Sequence, residues 1–111
     1  MRGFLFAIAA MAMFLPSNGK AQGYPTVDLA DYVFACMASN GQSRQILEQC
    51  SCSIDVIASI LPYSKYVEAD TILRLRQVGG EKGSVFRSGA RMKEAVADLR
   101  RAQAEAEIRC F

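Results

Sequence analysis

The sequence predicts an all-α protein: a small four-helix domain stapled by two disulfides and preceded by a cleaved signal peptide. Three observations carry that expectation. Apolar residues in the middle of the 111-residue chain recur at helical spacing. No run alternates apolar and polar side chains over a strand's length, and no hairpin dipeptide is flanked by strands. Four cysteines fall within the last ninety residues, where so short a chain buries too little surface to be stable without staples.

Residues 1–21 have the form of a secretory signal. Arg2 precedes the apolar run Gly3–Leu15, which Pro16 ends, and small residues at Gly19 and Ala21 suit cleavage after Ala21. As a helix the run spans about 20 Å, short of the roughly 30 Å of a bilayer core, so no stable membrane anchor is expected after cleavage. The expected organisation is therefore residues 1–21 as signal peptide and 22–111 as a single disulfide-stapled helical domain.

Removing the signal changes the charge balance. Arg2 and Lys20 leave, so thirteen basic residues become eleven, against eleven acids. The domain is then neutral but split: residues 22–70 carry two bases and six acids, and residues 71–111 carry nine bases and five acids. A neutral balance argues against nucleic acid, whereas a dipolar one orients a molecule against a charged partner.

The first helix is expected at Thr26–Ser39, between Pro25 and the stop Asn40–Gly41, with Asp28 and Asp31 near its positive end. Leu29, Val33 and Cys36 together with Ala30, Phe34 and Met37 form one broad apolar stripe, which reads as core. The second helix follows a Ser43 cap. Leu47, Cys50, Ile54, Ile57 and Leu61 form a seam at alternating spacings of three and four, ended by Pro62. Cys52 lies about 200° around the helix from Cys50, on the other side.

A third helix is expected over Ser64–Val78, although its apolar residues do not settle on one face. Gly79–Gly89, with four glycines, reads as a connection. A fourth helix runs from Ser88 to Cys110, with Met92, Val96, Leu99, Ala106 and Cys110 on one side and Arg101–Glu105 and Glu105–Arg109 pairs on the other. Tyr63 and Tyr66 are expected to seal the core.

The absence of histidine excludes Ser-His-Asp and Cys-His catalysis, and no phosphate loop, dinucleotide fingerprint or calcium loop is present. Asp55, Glu68 and Asp70, the acids nearest the middle of the chain, have no setting that would raise a carboxyl pKa. No catalytic residue, cofactor or metal is expected.

The four cysteines, Cys36, Cys50, Cys52 and Cys110, read as two structural disulfides. In a helical hairpin turning at Asn40–Gln42, Cys50 is nearer to Cys36 than Cys52 is by about 3 Å of helix rise, favouring Cys36–Cys50 with Cys52–Cys110. Cys50 and Cys110 both lie on apolar stripes, which favours Cys36–Cys52 with Cys50–Cys110 instead. Both pairings stand at this point. A close zinc pair needs C-x2-C spacing, and only C-x-C is present. Cys50 and Cys52 acting together as a redox dithiol form the alternative function, though mid-helix placement gives neither thiol the activation of a helix start.

In the glycine-rich segment, backbone N–H groups with Lys82, Arg87 and the following Arg91 suit an anion, while Phe86 and Arg87 are residue types that partner contacts favour. These four are the candidate partner or anion contacts.

The stretch Tyr32-Val33-Phe34-Ala35-Cys36-Met37, the run Cys50-Ser51-Cys52-Ser53-Ile54-Asp55 and the ending Arg100 to Phe111 resemble small exported proteobacterial four-cysteine helical proteins. More particularly, they resemble those associated with periplasmic quinoprotein alcohol-dehydrogenase systems. The resemblance covers most of the domain and supplies no catalytic residues. It implies a periplasmic accessory protein that binds another periplasmic protein. The small helical acid-stress chaperones of the periplasm share its size but carry two cysteines; a stress chaperone or inhibitor is a third reading.

Overall fold

The computed structural model describes residues 23–111. The expected signal segment, residues 1–21, lies outside the described residues. Those residues form five helices and no strand: α1 Thr26–Asn40, α2 Arg44–Ile60, α3 Tyr63–Arg76, α4 Glu81–Ser88 and α5 Ala90–Cys110. None is long and apolar enough to cross a membrane.

Local chemistry sets the boundaries. Pro25 and Pro62 stand immediately before α1 and α3, where a missing N–H costs nothing. Gly41, at φ 122°, ends α1 with its N–H on the Met37 carbonyl. The Ser43 hydroxyl accepts the Ile46 N–H at 3.2 Å and starts α2, as the sequence predicts.

The helices pack around α2 and α5, the most extensive pair. The α2 seam is buried at Cys50, Ile54, Ile57 and Leu61. From α5 come Ala95, Val96, Leu99, Ala102 and Ala106. Three of these five are alanines, whose small side chains let the α2 and α3 backbones come close. The α3 face is Tyr66, Ala69 and Ile72, spaced by three. Its stripe is obscure in the sequence because Ala69 occupies the centre while Val67 points outward.

Tyr24, ahead of α1, is fully buried and plugs the end of the core. Its hydroxyl donates to the Leu61 carbonyl at 2.7 Å, which closes α2, and its ring packs 5.2 Å from Tyr63 and 5.1 Å from Tyr66. Burial pushes its pKa up to about 12, with the neighbouring Tyr63 adding to the shift. Burial likewise raises Tyr66, and a hydrogen bond donated to Asp28 is the main cause of the upward shift at Tyr63.

Three expectations are corrected. The segment Gly79–Gly89 is not a bare connection, because α4 occupies most of it and the domain has five helices rather than four. The cause is Gly83. It is buried in the α4 face that meets the end of α3, where an added Cβ would stand 1.8 Å from the Val78 carbonyl oxygen. This glycine permits close approach rather than breaking the helix. Next, Arg101 pairs with Asp98, not Glu105, leaving Glu105 to Arg109 at 2.9 Å. Finally, the broad α1 stripe is only half core: no α1 residue is buried.

The cysteines form Cys36–Cys50 and Cys52–Cys110, with Cα–Cα separations of 5.8 and 5.7 Å. The geometric preference from helix rise is borne out, and the pairing suggested by the apolar stripes is not. Cys50 ties α2 to α1, while Cys52, on the opposite side, ties it to the last residue of α5. Two such bonds place the folded chain in an oxidising compartment.

Two predictions follow from these contacts. Loop-closure entropy assigns about 3 kcal/mol to the bridge spanning 14 residues and about 4 kcal/mol to the one spanning 58. Replacing Cys52 and Cys110 by alanine should therefore lower the melting temperature more than replacing Cys36 and Cys50, and full reduction should unfold the domain; circular dichroism reads both. For the tyrosine cluster, a folded-state pKa above the unfolded value favours the protonated form. Tyr24 thus stabilises fully below about pH 10, and that contribution is lost as pH rises toward 12. Short-exposure melting should show a plateau and then a fall across that window. Tyr24→Phe should flatten the fall while costing about 1–3 kcal/mol at neutral pH for the orphaned Leu61 carbonyl.

Candidate functional site

All four cysteines are consumed in the two bridges. Cys50 and Cys52 therefore do not form a dithiol pair, since each is bonded to a different helix.

The glycine-rich segment contributes mainly to the fold. Phe86 is partly buried against the small cluster of Ile72, Ala95 and Val96, and with Leu75, Val78 and Val85 it lines an apolar cleft of about 290 Å³. The Arg76 guanidinium donates to the Phe86 carbonyl at 2.6 Å, and Arg87 donates back to the Arg76 carbonyl at 2.9 Å. This reciprocal clasp satisfies one carbonyl at the end of α3 and one in the last turn of α4. Arg91 is exposed, with its nearest acid Glu68 at 3.9 Å. Lys82 lies on α4, but its side chain is outside the described residues. Arg87 and Arg91 are thus directed to different protein acceptors.

The central acids are equally dispersed. Asp70 holds Arg74 at 2.9 Å, and the same guanidinium reaches Asp31 of α1 at 3.0 Å, which raises the Arg74 pKa. Asp55 is exposed and has no ion-pair partner among the described residues. No group of three potential metal ligands occurs among the described residues.

The feature that sequence reading missed lies along α1. Leu29 and Val33 pack against the core, with Tyr32 hydrogen-bonded to Ser53 at 2.9 Å. Ala30, Phe34 and Met37, on the same broad stripe, do not reach the core. They form one wall of an open groove of about 430 Å³, whose other wall is Ser51, Ile54 and Asp55 of α2. Phe34 is 78% exposed and Val27, two turns earlier, is 71% exposed. A signal for it was present in the sequence. At 100° per residue the apolar arc from Leu29 through Ala38 covers about half the helix circumference, more than one neighbouring helix can cover.

The groove is lined mainly by apolar side chains, with Asp55 at one edge. Asp55 of α2 is its one charged lining residue, while Asp28 and Asp31 of α1 face α3, held by Tyr63 and Arg74. Such a surface suits apolar side chains.

Comparison with protein-family models, curated proteins and solved structures finds no match to this chain.

The role of Gly83 gives a prediction. Gly83→Ala should undock α4 from α3, because the new methyl meets the Val78 carbonyl rather than a side chain that can turn away. A cost of about 1–3 kcal/mol is expected. Hydrogen exchange should show faster amides in α4 with α2 and α5 still protected.

Proposed function

We propose that this chain is an exported, disulfide-stapled helical module that works by binding another protein, in the manner of a periplasmic accessory factor. The observation that carries the reading is the α1–α2 groove, where a large aromatic side chain, Phe34, stands 78% exposed beside Val33, Met37 and Ile54. Exposing so much apolar surface on one helix is costly for a small domain, and patches of this kind mark interaction sites. The disulfides add support, because a bridge holding α1 from Cys36 keeps the groove wall in place without deep burial. The signal-like segment ahead of Gln22 directs the chain to export, and the resemblance in the cysteine-bearing stretches directs the accessory reading toward periplasmic dehydrogenase systems.

In use, the partner segment would lie along α1 and bury Phe34. Burying one phenylalanine contributes about 1.5–3 kcal/mol, or at least about tenfold in affinity. A photo-crosslinking amino acid at position 34 should capture a discrete partner in the periplasm, with capture competed by the unmodified protein. Phe34→Asp should leave the melting temperature almost unchanged, since the side chain is exposed, and should abolish retention of that partner. If Phe34→Asp retains it as well as the unmodified protein does, the groove is not the docking surface.

A further inference from the structure

A separate cavity, of about 230 Å³, lies where α1, α2 and α5 meet, and it shares no lining residue with the α1–α2 groove. Two stripes at spacings of four form its sides. α1 supplies Tyr32, Cys36 and Asn40, while α5 and the residue after it supply Gln103, Glu107 and Phe111. Ser53 of α2 lines it between them and, at 5% exposure, is the one buried polar residue among those described.

The two disulfides hold these walls. Cys36 lines the cavity itself, Ser53 follows Cys52, and Phe111 follows Cys110. A cavity whose three walls are covalently joined keeps its shape before a ligand arrives, which lowers the entropic cost of binding.

Its polar groups are incompletely used. Tyr32 Oη and Ser53 Oγ lie 2.9 Å apart and share one hydrogen bond. Two hydroxyls carry two protons, so whichever of them donates, one O–H has no acceptor among the described residues. The Asn40 Nδ2 donates to the Cys36 carbonyl at 2.8 Å, which leaves its Oδ1 to accept. The Gln103 Oε1 accepts from Arg100 at 2.9 Å, which leaves its Nε2 to donate. Glu107 is the one charged residue in the lining, and its carboxylate has neither ion pair nor hydrogen bond among the described residues.

These groups select the chemistry of a ligand. A carboxylate without a counter-ion, in one lining with the Tyr32 and Phe111 rings, favours a cation, because aromatic faces attract positive charge. The same carboxylate repels an anion. A single carboxylate is too few for a divalent metal, and no group of three potential metal ligands occurs among the described residues. The free hydroxyl proton suits an oxygen carried by the cation. The volume lies below that of drug-sized pockets, so the ligand is small.

We propose that this cavity binds a small organic cation, an amine or quaternary ammonium bearing a hydroxyl or carbonyl oxygen. Glu107 is its counter-ion, Tyr32 and Phe111 are its aromatic wall, and the Tyr32–Ser53 pair donates to its oxygen.

Nuclear magnetic resonance titration of the oxidised protein with choline and with ethanolamine tests it. The uncharged alcohol in which carbon replaces the choline nitrogen controls for methyl burial, and sodium chloride controls for ionic strength. At least one of the two cations should give saturable amide shifts centred on Tyr32, Ser53, Gln103 and Glu107, and neither control should. Glu107→Gln should weaken that binding about fivefold or more, and Phe111→Leu about twofold or more. Both side chains are exposed, so circular dichroism should show unchanged helix content.

Phe34→Asp alters only the groove and should bind the cation as the unmodified chain does, so this site and the protein-docking reading fail independently. Neither cation giving a saturable shift, the uncharged alcohol binding as tightly as choline, or either cavity variant binding as tightly as the unmodified chain would each overturn the proposal.

Discussion

The structure depends on two cysteines placed one residue apart on α2. Because successive helical positions turn by about 100°, Cys50 and Cys52 point to different sides of the same helix. One holds α1 through Cys36 and the other holds the end of α5 through Cys110. A C-x-C pair in this setting acts as a clasp: it makes α2 the axis of the domain and fixes the two helices that flank it. The remaining contacts reinforce that axis, with Tyr24 closing its end on the Leu61 carbonyl and Tyr32 meeting Ser53 beside the first bridge.

The clasp bears directly on the groove. α1 buries no side chain completely, yet stays attached through the Cys36–Cys50 bond, the Arg74 bridge to Asp31 and the hydrogen bond from Tyr63 to Asp28. A helix held in this way can leave half of a broad apolar face uncovered. Without the bond, the cheapest way to hide Phe34 and Val27 would be for α1 to roll or detach. The covalent staple therefore shares with Leu29, Tyr32 and Val33 the task of holding α1, and the outer half of its apolar face stays uncovered.

Much of this was legible in the sequence where apolar residues are large and punctuation is strong. The α2 seam, its Ser43 cap and the proline and glycine boundaries follow from side-chain size and backbone chemistry alone, and helix rise correctly favoured Cys36–Cys50. What escaped notice involves small residues and context. Ala69, Ala95, Ala102 and Ala106 mark buried faces, but alanine is as common on exposed helix faces, so the α3 stripe stayed obscure. Gly83 reads as a helix breaker until the nearness of the Val78 carbonyl is known. Tyr24 lies outside any periodic segment. The α1 stripe was visible, but periodicity cannot say whether an apolar face is covered by the same chain or by another.

The account stands or falls on connectivity, and the most direct measurement is disulfide mapping of the folded, unreduced protein. Cys50 and Cys52 share one tryptic peptide, so electron-transfer fragmentation across Ser51 is needed to separate them. The account predicts that Cys50 carries the peptide containing Cys36 and that Cys52 carries the terminal peptide containing Cys110. Finding Cys36 on Cys52 with Cys110 on Cys50, or a bond between Cys50 and Cys52 themselves, would contradict it.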